Sequence, residues 1–268
     1  MKKIAVIVAF LLLFCGCAAP EIPTIPTEPP YTLPPSLYAP EDFIYAGEYL
    51  SCAAGETVMG IDVSSHQGQI DWQEVARSGV KFAFIRLGYR GYDSGTLHAD
   101  EYAQKNLNAA RTAGIKIGAY FFSQAVTVEE AEEEARYAVE ILQNLSLDLP
   151  LVYDWEYVSD TARTASVDRR KLTDCTLAFC AVAENAGYDP MVYFNSSQIT
   201  DLLYGEELER YPWWLAKYDP AMAFPCRVDL WQYTNQGSVP GIRGNVDINL
   251  MFTEYGLGME MFGADALE

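Results

Sequence analysis

The chain has 268 residues, half of them hydrophobic and about a fifth charged, which is enough for one large domain with a sizeable core. Its 18 Lys and Arg residues are outnumbered by 37 acidic residues, giving a formal net charge of −19. No basic cluster occurs beyond the first few residues, so the composition argues against a nucleic-acid partner.

The first 16 residues have the pattern of an export signal. The stretch MKKIAVIVAFLLLFCGC combines a short basic start, an apolar run too brief for a membrane span, and small residues near its end. It resembles a bacterial lipoprotein signal in which Cys17 is acylated, although Phe14 stands where such signals usually carry Leu. We therefore predict a lipoprotein anchored to the outer face of the membrane, with an ordinary secretory signal and a secreted protein as the alternative.

Residues 17–45 are predicted to form an extended tether. The stretch AAPEIPTIPTEPPYTLPPSLYAPED is rich in Pro and Thr, which favour a polyproline-like conformation and cannot build a core. A tether of this kind would hold the folded domain away from the membrane surface.

The cysteine and histidine content indicates neither a metal site nor a dense disulfide framework. Cys175 and Cys180 lie five apart on different faces of a predicted helix, so we expect no bridge between them. A bridge between Cys52 and Cys226 stays open. With two His residues and no CxxC pair in the chain, a multi-His zinc site is hard to assemble, and we predict no metal and no cofactor.

From residue 58 onward, apolar runs of strand length recur eight times. They are VMGIDVSS, KFAFIRLG, IKIGAYFFS, LPLVYDWEY, PMVYFNS, WWLAKY, RVDLWQYT and NVDINLMF. The early runs are separated by four helical segments: DWQEVARSG, HADEYAQKNLNAARTAG, TVEEAEEEARYAVEILQNL and SVDRRKLTDCTLAFCAVAENAG. Three of these segments end in Gly, and the third begins with Thr127 three residues before Glu130, which is a capping pattern.

This alternation predicts an α/β fold over residues 57–253. Strands joined by helical crossovers run parallel, and eight of them favour a closed, TIM-like barrel with about five helices. The connections between the last three strands are too short or too rich in Gly for full helices, so we expect the barrel to be irregular in its last third. Residues 254–268 form an acidic tail that either packs across the barrel bottom or is disordered.

Four acidic residues are predicted to line one mouth of the barrel. Asp154 and Glu156 end the apolar run LPLVYDWEY, and residues two apart on a strand point to the same face. Asp62 and Asp247 point inward by the same alternation, and they belong to the first and last strands, which are neighbours in a closed barrel. A single acid could instead cap a turn or pair with an arginine. Four acids at strand ends favour a catalytic cluster, because clustered like charges raise one another's pKa.

Aromatic residues are predicted at the same mouth. Their flat faces and polar tips suit stacking on sugar rings, and the candidates are Tyr120, Tyr193, Trp214, Tyr218 and Trp231, with Phe122 near them. Core packing is the alternative for each of them. It is the interpretation we prefer for four other aromatic residues, Phe121, Trp155, Phe194 and Trp213.

Five segments, in order along the chain, carry a family resemblance. They are GIDVSSHQGQIDW, FAFIRLGY, AGIKIGAYFF, the DWE acid pair and WQYTNQGSVPGIRGNVDIN, from about Met59 to Phe252. Together they resemble the glycoside hydrolase family 25 lysozymes, the Chalaropsis-type N-acetylmuramidases. The resemblance implies an irregular eight-stranded barrel that hydrolyses the β-1,4 bond between N-acetylmuramic acid and N-acetylglucosamine in peptidoglycan.

The resemblance also implies roles for the four acids. The family's Asp-x-Glu pair falls on Asp154 and Glu156, with Glu156 as the proton donor to the leaving oxygen, and Asp62 and Asp247 match the acids of the opening and final strands. A glycosidic oxygen is a poor leaving group, so a donor with a raised pKa is required, and Asp154 would remain ionised. Retention, inversion and participation of the substrate's acetamido group all stay open.

Two other interpretations remain. One is a catalytically inactive surface glycan-binding lipoprotein, and the other is a glycosidase that acts on a different N-acetylated polysaccharide. The presence of all four acids favours an active enzyme. The predicted partners are peptidoglycan glycan strands and the membrane, the latter through the lipid anchor, and we expect a monomer.

Overall fold

A computed structural model describes residues 34–219, 222–254 and 256–262. Within these residues the strands are β1 Phe43–Ala46, β2 Tyr49–Cys52, β3 Thr57–Val63, β4 Phe82–Arg90, β5 Leu97–Ala99, β6 Lys116–Ser123, β7 Leu151–Trp155, β8 Pro190–Asn195, β9 Trp213–Ala216, β10 Leu230–Gly237 and β11 Val246–Phe252. The helices are α1 Trp72–Arg77, α2 Ala103–Thr112, α3 Val128–Leu142, α4 Arg169–Asn185, α5 Ser196–Asp201, α6 Gly205–Leu208 and α7 Gly256–Phe262.

Eight of the strands close into a barrel, in the spatial order β3, β4, β6, β7, β8, β9, β10, β11 and back to β3. Neighbouring strands from β3 to β10 run parallel. β11 runs antiparallel to both of its neighbours. The predicted α/β barrel of eight mostly parallel strands is confirmed, and each predicted strand corresponds to one strand of the wall. The periodicity of the sequence did not indicate β5, which pairs with the end of β4.

Helices α1 to α4 fill the connections in which helical segments were predicted. Gly79, Gly114 and Gly187 follow α1, α2 and α4 closely, and the Thr127 side chain caps α3 by accepting a hydrogen bond from the backbone N–H of Glu130 at 3.3 Å. The shorter helices α5 to α7 bring the number in the described residues to seven, against about five predicted. As expected, the barrel is irregular in its last third, where the described connections between β9, β10 and β11 contain no helix.

Aromatic side chains fill the barrel interior beneath the mouth. The rings of Phe82 and Phe84 lie 6.1 Å apart, and the ring of Phe84 lies 4.8 Å from that of Trp214. Two glycines make room for them: a Cβ atom at Gly60 would lie 2.1 Å from the Phe82 ring, and one at Gly118 would lie 2.4 Å from the Phe84 ring. Because the interior is packed, a ligand site along the barrel axis is confined to the mouth.

Helix α7 packs across the opposite end of the barrel. Leu257 and Phe262 join the interior cluster, and the ring of Phe262 lies 6.2 Å from that of Phe82, at the start of β4. Residues 256–262 of the predicted tail therefore pack across the barrel bottom, and Leu257 is 8% exposed. Residues 263–268 lie outside the described residues.

The hairpin formed by β1 and β2 covers the outer face of β10 and β11, two strands that no described helix connects. The ring of Phe43 lies 5.1 Å from that of Trp231, and Tyr38 stacks on Phe252 at 5.2 Å. Both Tyr38 and Phe43 are 7% exposed. The hairpin thus supplies apolar cover on a face of the barrel that would otherwise be open.

This packing moves the boundary between the tether and the folded domain. The predicted tether extends through residue 45, but the chain is already in contact with the barrel at Pro34, whose carbonyl accepts a hydrogen bond from the backbone N–H of Arg227 at 2.7 Å. The Pro-rich composition of the segment did not indicate that Tyr38 and Phe43 belong to the core. Both are buried by strands that lie far away in the sequence. Residues 17–33 of the predicted tether lie outside the described residues, as do the signal segment and Cys17.

The cysteines of the described chain, Cys52, Cys175, Cys180 and Cys226, are all free thiols. The bridge left open between Cys52 and Cys226 is therefore not formed in this structure. Across residues 34–219, 222–254 and 256–262, no helix has the length and apolar character needed to cross a membrane.

Replacing Phe43 by Ala is expected to lower the free energy of unfolding by about 3–5 kcal/mol, because truncating a buried Phe removes apolar contacts and leaves a cavity. Ile44 is the matched control, since it is the next residue on β1 and is 50% exposed. Ile44→Ala should change the free energy by about 0.5 kcal/mol or less. Urea unfolding of both variants makes the measurement, and equal effects would contradict the docking of the hairpin.

Candidate active site

A cavity of about 220 Å³ opens at the mouth of the barrel. Eight of the nine residues predicted for the site line it: Asp62, Tyr120, Asp154, Glu156, Tyr193, Trp214, Tyr218 and Asp247. Phe122, an aromatic residue predicted near the mouth, also lines it, together with three residues that were not predicted for the site: His66, Arg86 and Gln232. Within the part of the chain that the structure describes, no group of three or more His, Cys, Asp or Glu residues could hold a metal ion.

Asp62 and Asp247 face each other across the seam that closes the barrel. They are direct Cα partners in the pairing of β3 with β11. Asp62 and Asp154 lie near the carboxyl ends of β3 and β7, whereas Asp247 is the second residue of β11. It reaches the mouth because β11 runs antiparallel to the rest of the wall, so its beginning lies at the mouth.

Two buried glutamines hold the chain that carries Asp154 and Glu156. Strand β7 ends at Trp155, and the carbonyl of Trp155 accepts a hydrogen bond from Gln198 Nε2 at 2.7 Å. The next carbonyl, that of Glu156, accepts one from Gln124 Nε2, also at 2.7 Å. These bonds satisfy the backbone just beyond the strand, so that Glu156 lines the same cavity as Asp154.

Asp62 is held by two side-chain amides that the sequence did not identify. Gln232 Nε2 and Asn249 Nδ2 both donate to Asp62 Oδ2, each at 2.8 Å. Strand alternation could have pointed to them, since Gln232 follows the inward Leu230 by two residues and Asn249 follows Asp247 by two.

The pKa values of all four acids are raised. Burial is the main cause for each of them, and it raises the pKa of Asp62 to about 6 although two amide hydrogen bonds favour its charged form. Burial, with Asp62 and Glu156 nearby, raises the pKa of Asp247 to about 8. Burial also raises the pKa of Glu156, with Tyr193 acting in the opposite direction. The cluster therefore retains protons near neutral pH.

Asp154 is the most isolated of the four acids. Burial, followed by the charges of Glu156 and Asp62, raises its pKa well above the ordinary value, and its Oδ1 atom has no hydrogen-bond partner among the described residues. In the free protein, burial therefore opposes the ionised state that was predicted for Asp154. Arg86 opposes this effect, but its guanidinium is 2.9 Å from Asp100 Oδ2 and is paired with that carboxylate.

The aromatic residues of the cavity divide into a floor and a rim. Trp214 is 2% exposed, and the rings of Tyr193 and Tyr120 meet it edge-on at 5.2 and 6.4 Å. Tyr218 is 54% exposed, and its hydroxyl donates to Gln232 Oε1 at 3.0 Å. The floor therefore limits the depth of the cavity, and Tyr218 presents its ring to solvent at the edge.

The placement of Trp231 at the mouth is wrong. Its neighbours Leu230 and Gln232 point into the barrel, so Trp231 points outward by alternation. It is fully buried beneath Phe43, and its Nε1 atom donates to the carbonyl of Lys217 at 2.8 Å. Trp231 therefore belongs to the packing between the barrel and the N-terminal hairpin.

The fold and the cavity define the class of protein. Paired carboxyl groups at the mouth of an α/β barrel are suited to glycosidic bond hydrolysis, one holding a proton for the leaving oxygen and another acting at the sugar carbon. The family model of the glycosyl hydrolases family 25 matches residues 61–242, and the chain belongs to this family. It is a glycoside hydrolase of the lysozyme type.

Similar proteins share most of the described domain. The uncharacterized protein YegX of Escherichia coli K12 is 32% identical over 209 residues, which cover 74% of this chain and 70% of YegX. The autolytic lysozyme of Clostridium acetobutylicum is 28% identical over 195 residues, covering 71% of this chain and 54% of that protein. The modular autolysin LytC of Streptococcus pneumoniae, solved with a synthetic peptidoglycan ligand, is 28% identical with a TM-score of 0.65. That match covers 74% of this chain but 47% of LytC, so this chain spans about half of the LytC length.

Replacing Asp247 by Asn should change how stability depends on pH. The folded-state pKa of Asp247 is about 8, above the roughly 3.9 expected when unfolded, so its protonated form stabilises the fold and this contribution is lost as pH rises through about 8. An amide cannot ionise, so this loss is absent in the variant. The free energy of unfolding of the variant minus that of the parent should therefore be at least about 1.4 kcal/mol larger at pH 8.5 than at pH 4. Urea unfolding at the two pH values tests this, and parallel losses in parent and variant would contradict it.

Proposed function

We propose that the protein is a peptidoglycan muramidase that hydrolyses the β-1,4 bond between N-acetylmuramic acid and N-acetylglucosamine. The observation that carries the proposal is the convergence of four carboxyl groups with raised pKa values on one cavity of a family 25 barrel. The lysozyme from Clostridium acetobutylicum and the ligand in the LytC structure support peptidoglycan as the substrate.

Glu156 is the proposed proton donor. Its side chain is partly exposed at the mouth, where a glycosidic oxygen can approach it, and burial raises its pKa, which favours the protonated carboxyl that a donor needs. Transfer of this proton to the bridging oxygen allows the bond to the sugar carbon to break. This role is common to the retaining, inverting and acetamido-assisted routes.

Asp154 is the proposed partner of the developing positive charge. Its Oδ1 atom has no protein partner among the described residues and lies in a side chain that is 6% exposed. An N–H group of the substrate, such as that of an acetamido substituent, would supply the missing donor and favour the charged carboxylate. Substrate binding would thereby offset the effect of burial on Asp154 and favour the anion that the reaction needs.

The cavity supports recognition of a short stretch of glycan. Its volume of about 220 Å³ is below the roughly 300 Å³ at which pockets begin to enclose drug-sized ligands, so the remaining sugars must lie across the rim. Tyr218, with its exposed ring beside the cavity, is placed to stack on one of them.

The place of action is proposed to be the cell wall close to the membrane of the producing cell. An N-terminal lipid on Cys17 and a short Pro-rich tether would confine the barrel to that layer. This favours remodelling or turnover of the cell's own wall over attack on other cells.

Replacing Glu156 by Gln is expected to lower the rate of glycan cleavage by at least about 10²-fold, because the amide cannot donate the proton. Purified peptidoglycan is digested with parent and variant, and the products are reduced with borohydride and analysed by mass spectrometry. New reducing ends on N-acetylmuramic acid should form with the parent. Glu206→Gln, an exposed change on α6, is the control that should retain activity.

The same experiment distinguishes the glycan-binding alternative. A folded parent that pulls down peptidoglycan without releasing products would be a surface glycan-binding protein. Cleavage that yields new ends on N-acetylglucosamine would place the protein among glycosidases of another bond specificity. Cleavage by Glu156→Gln at the parent rate would remove Glu156 from the role of donor.

The lipid anchor is tested by exchange of the signal cysteines. Cys17→Ser should prevent acylation and shift the protein out of the membrane fraction or leave an unprocessed precursor, whereas Cys15→Ser, two residues earlier, should not. In bacteria that express the full chain, an inhibitor of lipoprotein signal processing should make the precursor accumulate. Free secretion with unchanged mobility under the inhibitor would establish the ordinary secretory signal instead.

A further inference from the structure

Two consecutive hydrogen bonds link Trp214, Asn249 and Asp62, and the direction of donation in both is fixed. Trp214 Nε1 donates to Asn249 Oδ1 at 2.8 Å, and Asn249 Nδ2 donates to Asp62 Oδ2 at 2.8 Å. An indole nitrogen can only donate, so the amide oxygen of Asn249 must face Trp214 and its NH2 group must face Asp62. The orientation of Asn249 therefore follows from chemistry, and Asp62 Oδ2 must act as an acceptor.

A second amide reaches the same oxygen from another strand. Gln232 Nε2 donates to Asp62 Oδ2 at 2.8 Å, while its Oε1 atom accepts hydrogen bonds from the hydroxyls of Tyr193 and Tyr218 at 3.2 and 3.0 Å. Reversing this amide would place its oxygen against the carboxylate and its NH2 group against the tyrosines. With two N–H donors on one oxygen, protonation of Oδ2 would break at least one of these bonds.

Among the described residues, Asp62 is the acid of the cavity whose carboxylate oxygen accepts hydrogen bonds from two side-chain amides. The cavity brings acids, tyrosines and two basic residues towards it: Asp154, Glu156, Asp247, Tyr120, Tyr193, Tyr218, His66 and Arg86. Asp154 leaves one buried oxygen without a partner, and the guanidinium of Arg86 is paired with Asp100. The pKa of Asp62, which burial and the charge of Glu156 raise to about 6, lies below that of Asp247, about 8.

We propose that Asn249 and Gln232 are positioning residues that favour the ionised form of Asp62 and so shift the cluster's protons towards Glu156, Asp154 and Asp247. The charge of Asp62 then opposes ionisation of the other three carboxyl groups, which keeps the proton donor loaded. The proposal deepens the proposed function, because it concerns proton distribution in the same site. Neither amide needs to touch the reacting atoms.

The test compares Asn249→Leu and Gln232→Met with the parent. Loss of a hydrogen bond to a charged group should raise the pKa of Asp62 by about one unit or more. The acid limb of the pH profile of kcat/KM should therefore move up by about one pH unit, while the basic limb, where Asp62 is ionised in parent and variant alike, should stay in place. At the foot of the acid limb, activity relative to the optimum should fall about tenfold.

Asn106→Leu is the matched control. Asn106 is 2% exposed and accepts a hydrogen bond from Trp72 Nε1 at 3.3 Å, so it repeats the Trp–Asn pair on α2 without lining the cavity. This variant should lower stability without moving either limb. If Asn249→Leu does not fold, Gln232→Met, which keeps the length of the side chain, decides the question.

A readout without catalysis separates this proposal from the proposed function. The carboxyl ¹³C resonance of Asp62, assigned with Asp62→Asn, is followed through a pH titration of parent and variants. A midpoint that rises in Asn249→Leu or Gln232→Met supports the proposal even if the parent cleaves no glycan. Variants that lose activity equally at every pH, with the Asp62 midpoint unchanged, would overturn it.

Discussion

The antiparallel pairing of β11 with β3 is the contact on which the site depends. It closes the barrel, and it sets Asp247 directly opposite Asp62. The same reversal of direction carries Asn249 to the interior two residues after Asp247, where it can reach Asp62 Oδ2. Because β10 lies beside β11 in the wall, Gln232 approaches that oxygen from the adjacent strand. The pairing of β3, β11 and β10 therefore supplies both the like charges that raise the pKa values of the acids and the two amides that lower the pKa of Asp62.

Crowding four acids into one mouth is unfavourable for folding, and the surrounding structure offsets that cost. Below the acids lies a tightly packed aromatic layer, and around them buried glutamines satisfy backbone carbonyls at the end of β7. Outside the wall, helices cover the first strands and the N-terminal hairpin covers β10 and β11. Phe43 and Trp231 contribute to this outer layer, and Trp231 lies on the strand that carries Gln232, on the opposite face.

Much of the fold could be predicted because its signals are local. Apolar runs marked the eight barrel strands, glycines and Thr127 marked the limits of helices, and alternation along strands placed the acids. The same alternation, applied to Trp231, would have turned it outward. The roles of Gln232 and Asn249 could not be recognised because an uncharged amide gains its importance only from a partner on another strand. The N-terminal hairpin was missed for the same reason: the face that it covers is formed by residues almost 200 positions away.

The position of Pro34 identifies the end of the barrel at which the chain enters the folded domain. Pro34 lies beside Arg227, Asp229 and Leu257, at the end of the barrel that α7 covers, and the acids lie at the other end. The chain thus enters the domain from beneath. Attachment through the chain that precedes Pro34 would therefore use one end of the barrel and leave the other end, with its cavity, open to substrate.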